Sequence, residues 1–166
     1  MPSSVIDIPF DEPLIRVERV FDAPRTLIFR LITDPFHLAQ FLGPHGVVND
    51  IQEMDVRPGG YWRNVMRYPD GSEERSTGVF LEVVEPVRIV FREAPQDSTA
   101  ALAELPPGQL VTSLLLDEMG GGTRFTAEVR ATTIAVRNGR LAFAQGMSQG
   151  NEKLADYLGV LGGGRH

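Results

Sequence analysis

Along most of this chain apolar and polar residues alternate singly, the period of a strand with one face in the core. Only two regions shift to the three-to-four spacing of a helix. The first alternation sets Leu14, Arg16, Glu18 and Val20 against the more apolar Ile15, Val17, Arg19 and Phe21, and predicts a strand. Asp22-Ala23-Pro24 then predicts a helix start, with Asp22 or Ala23 near the N-cap and Leu27, Ile28, Leu31 and Ile32 as the apolar face. Thr33-Asp34-Pro35 closes that helix and opens a short second one, to about Phe41, with Asp34 as N-cap. Gly43-Pro44-His45-Gly46 breaks it, and Val47 to Val56 resumes alternation as a strand.

Pro58-Gly59-Gly60 reverses the chain, and Asp70-Gly71 signals a type I′ hairpin further on. Between the two turns Trp62, Asn64, Met66 and Tyr68 alternate with Tyr61, Arg63, Val65 and Arg67. Ser72 to Val84 predicts a long strand, with Gly78 marking a bulge or a close approach. Glu85-Pro86 turns into a strand over Val87 to Arg92. The proline-bearing, small-residue-rich stretch Ala94 to Gly108 reads as a flexible loop, with a functional lid as the alternative. Leu110 to Leu116 and Thr123 to Thr132 are partner strands about Met119-Gly120-Gly121-Gly122; Phe125, Ala127 and Val129 share the core side of the second. The last element is a helix from about Asn138 to Leu161, with Phe143, Met147, Gly150, Leu154, Tyr157, Leu158 and Leu161 as its stripe, ended by Gly162-Gly163-Gly164.

Strand, two short helices, six strands and a long helix make an α+β chain with segregated helices. A six- or seven-stranded antiparallel sheet curling around the long helix would bury its stripe. The expected organisation is a flexible arm over 1–13, one domain over 14–161 and a glycine-rich tail over 162–166. A length of 166 residues suits one domain with a sizeable core. The net charge of −6, with scattered basic residues, argues against a nucleic-acid partner. The absence of cysteine removes disulfides, thiolate nucleophiles and thiolate-held metals. No apolar run approaches the roughly 18 residues of a membrane span, and the N-terminus lacks the pattern of a signal peptide, so the expectation is a cytoplasmic protein without membrane insertion.

Candidate chemistry is sparse. Gly146-Met147-Ser148-Gln149-Gly150 matches the spacing of a hydrolase nucleophile elbow but falls inside a helix, with only His166 following as a histidine, so a close helix–sheet approach is the better reading. His37 and His45 lack metal-ligand spacing, and no metal or cofactor is expected. Glu53 and Asp55, beside Arg57 and Arg63, read as surface ion pairs rather than an acid–base pair, as do Arg63, Arg67 and Arg75 near Glu73 and Glu74. The best candidates are Trp62, Asn64, Met66 and Tyr68, a mixed row of the kind that lines binding pockets, expected to face the last helix near Gly150 and Asn151. Phe36, Phe80, Phe91, Phe125, Phe143 and Met147 would complete an apolar wall, and Asn64, Tyr68 and Asn151 would orient the ligand.

Several motifs in order resemble one family: Val17-Glu18-Arg19-Val20-Phe21-Asp22-Ala23-Pro24, Thr33-Asp34-Pro35, Gly43-Pro44, Asp55-Val56-Arg57-Pro58-Gly59-Gly60 and Pro69-Asp70-Gly71. Over roughly Leu14 to Leu161 the chain resembles the activator of Hsp-90 ATPase homologue-like family of the START/Bet v 1-like (SRPBCC) superfamily. The resemblance implies a helix-grip fold, with a curved antiparallel sheet gripping the long C-terminal helix and an apolar cavity between them. Two departures stand out: Phe41-Leu42 where the family usually has Trp before Gly-Pro, and Gly150-Asn151 where a Gly-Trp pair is common. The functional expectation is a protein that binds a small apolar or amphipathic molecule. The alternatives are a cyclase/aromatase- or hydrolase-like enzyme using Tyr68 or His45, and a chaperone-associated or stress-response interaction protein. A homodimer is left open.

Overall fold

The computed structural model describes residues 3–93 and 110–162. Strand alternation builds β2 (Leu14–Phe21), with Ile15, Val17, Arg19 and Phe21 buried on one pleat. The two short helices follow as α1 (Arg25–Thr33) and α2 (Pro35–Leu38). The start of α1 differs from expectation: Pro24 is the N-cap and no side chain caps it. Asp34 caps α2 as its sequence requires, accepting from the Phe36 amide at 2.9 Å, but the helix stops at Leu38.

Six strands then run antiparallel: β3 (Val48–Met54), β4 (Tyr61–Arg67), β5 (Glu73–Val84), β6 (Arg88–Glu93), β7 (Leu110–Met119) and β8 (Gly122–Ala131). With β1 (Val5–Asp7) and β2 they form one curved, open sheet of eight strands, ordered β1-β2-β8-β7-β6-β5-β4-β3. The C-terminal helix lies against its concave face, so the α+β helix-grip architecture stands, with one strand more than expected. The added strand is β1. The segment expected to be a loose arm is tied down, because Val5–Asp7 pair with Arg16–Glu18 and Arg137 donates to the carbonyls of Pro9, Glu12 and Leu14. A short helix not anticipated, α3 (Ile134–Asn138), supplies that arginine and is capped by the Thr133 hydroxyl.

The hairpin turns exchange chemistry. Asp70 does not take positive φ; only Gly71 does, at 89°. In a type I′ turn centred on Asp70-Gly71, Pro69 would be the first residue, where it has no N–H to close the pair; at the second position of a type I turn its φ near −65° fits. The result is a Tyr68–Gly71 turn closed at 3.0 Å with a bulge at Gly71, steadied by Asp70 accepting from Ser72. The type I′ geometry falls instead at Gly120-Gly121, with φ of 58° and 93° between paired Met119 and Gly122.

The long helix α4 (Ala142–Gly162) starts four residues later than expected, and its buried residues are Ala144, Asn151 and Leu154. The main core joins α1, α4 and the sheet through Phe21, Ile28, Leu31, Phe80, Ile89, Leu116, Phe125 and Leu154. The Ala94–Gly108 stretch expected to be a loop or lid, and the tail beyond Gly162, lie outside the described residues.

Candidate functional site

The pleat of β4 resolves which row faces inward. Asn64 is buried and Trp62 and Met66 half-buried, whereas on the other row Arg63 and Arg67 are exposed, with Val65 between them buried; the contacts of Trp62 with Gly78 and of Met66 with Gly43 fix the inward row. The inward row does not meet α4 directly at Gly150. The Phe41–Pro44 segment lies between them: a side chain on Gly43 would touch the Met66 thioether on one side, and one on Gly150 would touch the backbone of Phe41 and Gly43 on the other. Asn49 draws this segment in by donating to Ala39 and Leu42 carbonyls at 3.2 and 3.0 Å, and it accepts from Asn64 at 3.2 Å. From the helix, Lys153 donates to the Leu42 and Pro44 carbonyls, and burial pulls its pKa below the ordinary value. Gly150 is therefore a seat for a connecting segment, which explains why that helix position carries no side chain.

Next to it the concave face is aromatic. Trp62 lies over Gly78 and packs edge-on to Phe91 at 4.8 Å and tilted to Phe80 at 5.5 Å. Gly78 is thus a close approach, as its place in a strand suggested; the bulge in β5 falls between Phe80 and Glu82. Phe125 joins through Phe21 at 6.2 Å. Phe143 and Met147, half-buried on α4, pack against Ile15, Val17 and Ala144 and also against Leu110, Val129 and Ala131. Phe36 does not belong to this wall. It is 69% exposed, because a helix of four residues has too few turns to bury both its sides.

The polar candidates separate. Asn64 keeps a buried side-chain oxygen without a partner. Asn151 is buried but donates to Ser4 Oγ at 3.1 Å, at the β1–β2 end of the sheet, so the two asparagines do not converge. Tyr68 sits at the hairpin end and donates to Glu74 at 2.8 Å; burial first, then that bond, push its pKa up to about 12. It is a phenol at neutral pH, able to donate and unable to act as a base. His45 pairs with Glu152 at 2.7 Å on an exposed surface, and His37 meets the Tyr157 hydroxyl at 2.6 Å. Ser148 lies within α4. Asp55 pairs with Arg57 and Glu53 lies 3.8 Å from Arg63, both exposed.

Sequence reasoning passes over two groups. Glu93 ends β6 opposite Gly78, on the pleat of Trp62 and Phe91, and burial pushes its carboxyl pKa up, with Arg140 opposing and Glu74 adding. Arg19 is 9% exposed on the concave pleat of β2, with its Nε buried and unpartnered. Its signal is present in the alternation, since it occupies the apolar register between Val17 and Phe21.

Comparison with known proteins places this arrangement. The family model for activator of Hsp90 ATPase homolog 1-like protein matches residues 22–159. Among solved structures, a Mycobacterium smegmatis protein is similar at 23% identity and a TM-score of 0.83, covering 96% of this chain and 99% of its own. A Nitrosomonas europaea protein is similar at 25% identity and a TM-score of 0.76, covering 91% and 96%. A Silicibacter pomeroyi protein described as AHSA1 is similar at 20% identity and a TM-score of 0.71, covering 89% and 98%. No curated protein matches the chain.

Proposed function

The chain belongs to the activator of Hsp90 ATPase homolog 1-like family, and on that premise we propose that it binds a small apolar or amphipathic molecule between α4 and the concave face of the sheet. Proteins of this fold often bind small ligands. The observation that carries the reading is that Trp62, Phe91, Leu114, Phe143 and Met147 point inward yet are only partly buried. Inward-facing side chains of that size are normally sealed by packing at near-crystalline density. Left partly covered, they offer the aromatic and aliphatic lining that small-molecule sites use, with Asn64 as a polar contact at one end. The ligand wall is then Trp62, Met66, Phe80, Phe91, Phe125, Phe143 and Met147, without Phe36.

Trp62 is the only tryptophan, so its emission reports on this face alone. Titration with a library of apolar and amphipathic molecules is expected to shift or quench it for a subset. Native mass spectrometry of protein purified from its own host is expected to show a retained small molecule. A Trp62 signal that ignores the whole library, with no retained mass, overturns the proposal. A second reading, a cyclase- or hydrolase-like enzyme, rests on Glu93: a carboxyl with raised pKa beside Trp62 suits a general acid. Turnover lost in E93Q would favour it.

A further inference from the structure

Among the described residues two arginines are buried, and the fold treats them differently. Arg137, 5% exposed, spends its guanidinium on the Pro9, Glu12 and Leu14 carbonyls and the Asn138 side chain. Arg19, 9% exposed, has neither a hydrogen bond nor an ion pair among the described residues, and its Nε is buried with no partner. Its one charge-related contact is the Phe21 ring, 5.3 Å from Cζ. A cation held largely out of water without a counter-ion, with its Nε fully enclosed, is expensive, and a single aromatic face offsets only part of that cost.

Its surroundings are built from several elements. Arg19 shares a pleat with Ile15, Val17 and Phe21 and pairs in register with Phe125. The pairing of Val5 with Glu18 puts Ser4 next to Arg19, and Ser4 accepts from the buried Asn151 of α4. The Asn151–Ser4 bond that joins helix to sheet therefore lies one strand away from Arg19, with Phe125 on the strand at its other side. The apolar cluster continues from Phe21 and Phe125 to Phe80, Trp62 and Phe91.

We propose that Arg19 anchors the head group of the ligand, receiving the carboxylate of an amphipathic monoanion whose apolar part lies along Phe21, Phe125 and the aromatic face beyond. The assignment rests on the ligand-binding reading above and narrows its chemical class. The edge of a guanidinium formed by Nε and one Nη matches a carboxylate in a bidentate pair. One cation balances one negative charge, whereas a phosphate dianion would leave charge uncompensated in a buried place.

Calorimetric titration of the purified full chain with dodecanoate, methyl dodecanoate and dodecyl phosphate tests this. The wild type is expected to prefer dodecanoate to the ester by roughly ten- to a hundredfold, the range for one hydrogen bond to a charged group. R19M is expected to bind the ester as before and to lose the preference. Preference for the acid that survives R19M, or a wild type with none, overturns the anchor. Dodecyl phosphate binding more tightly than dodecanoate overturns the carboxylate. Ester binding without acid preference defeats the anchor alone; silence toward both defeats the anchor, and the ligand-binding reading falls with it if Trp62 emission also ignores the wider library and no mass is retained. If thermal melting shows R19M unfolded, R19K decides: it keeps the charge but loses the fork, so dodecanoate should weaken and the ester should not.

Discussion

Gly78 is the seat of the Trp62 indole, and adding one methyl group there perturbs the proposed ligand wall from beneath. A Cβ at this position would lie 2.0 Å from Trp62 Cη2, 2.4 Å from Trp62 Cζ3 and 2.4 Å from the Arg92 carbonyl oxygen. Carbon contacts are comfortable at roughly 3.5–4.0 Å, so each neighbour must retreat by more than about 1 Å. The carbonyl belongs to the β5–β6 ladder and cannot retreat without bending it. The indole can tilt, but Phe80 and Phe91 flank it. Gly78 does not have positive φ, so the cost of G78A is steric alone. Overpacking of this kind costs about 1–3 kcal/mol, and two obstructed sides favour the upper end. For a chain of this length about 3 kcal/mol lowers Tm by roughly 6–12 °C.

A double-mutant cycle separates the ring from the carbonyl. W62A alone should cost about 3 kcal/mol, the low end for an aromatic truncation because the ring is only half-buried. In W62A the G78A methyl meets only the Arg92 oxygen, so the two changes should cost about 1–2 kcal/mol less together than summed. Urea unfolding followed by circular dichroism measures all four proteins, since fluorescence is lost with Trp62. G78A should also shift Trp62 emission and weaken any ligand that binds the wild type. Strict additivity, or a G78A protein with wild-type stability and emission, refutes the placement of the indole on Gly78.

N49A removes the donor to the Ala39 and Leu42 carbonyls and leaves the buried Asn64 amide without its acceptor, so it should cost about 2 kcal/mol in urea unfolding; a cost near zero would mean the Phe41–Pro44 segment is held elsewhere. Tyr68 should ionise near pH 12 in an ultraviolet titration, against an ordinary value of 10.0. Its folded pKa lies above its unfolded one, so its contribution is complete below pH 10.0 and is lost as pH rises to about 12. Y68F should remove that loss, and an unchanged alkaline limb would count against it. For Glu93 the raised folded pKa means the folded chain holds the proton more tightly, so stability falls as pH rises from the ordinary 4.5 through the folded value. E93Q should therefore raise Tm at neutral pH and flatten the profile in that window; a lower Tm would show that the ionised carboxylate is favourably paired.

The parts legible in the sequence are those a period can express. Alternation around Trp62, Asn64 and Met66 gives both a strand and its inward face, because a one-residue slip would bury Arg63 and Arg67. Phe36 is misplaced because two residues of a four-residue helix do not define a face. Asn151 shares the buried stripe of α4 with Ala144 and Leu154, as its spacing requires, but the period of a helix is silent on which strand it meets. Only pairing through β1 brings Ser4 to it, and a three-residue strand beside prolines has too little pattern to announce itself. The I′ turn moves from Asp70-Gly71 to Gly120-Gly121 for a local reason, the missing N–H of Pro69. What packing leaves unexplained is where the pattern is broken rather than kept. A charge at Arg19, in a register otherwise filled by Ile15, Val17 and Phe21, lowers stability unless something meets it, so the alternation that makes β2 also marks the residue packing alone does not explain.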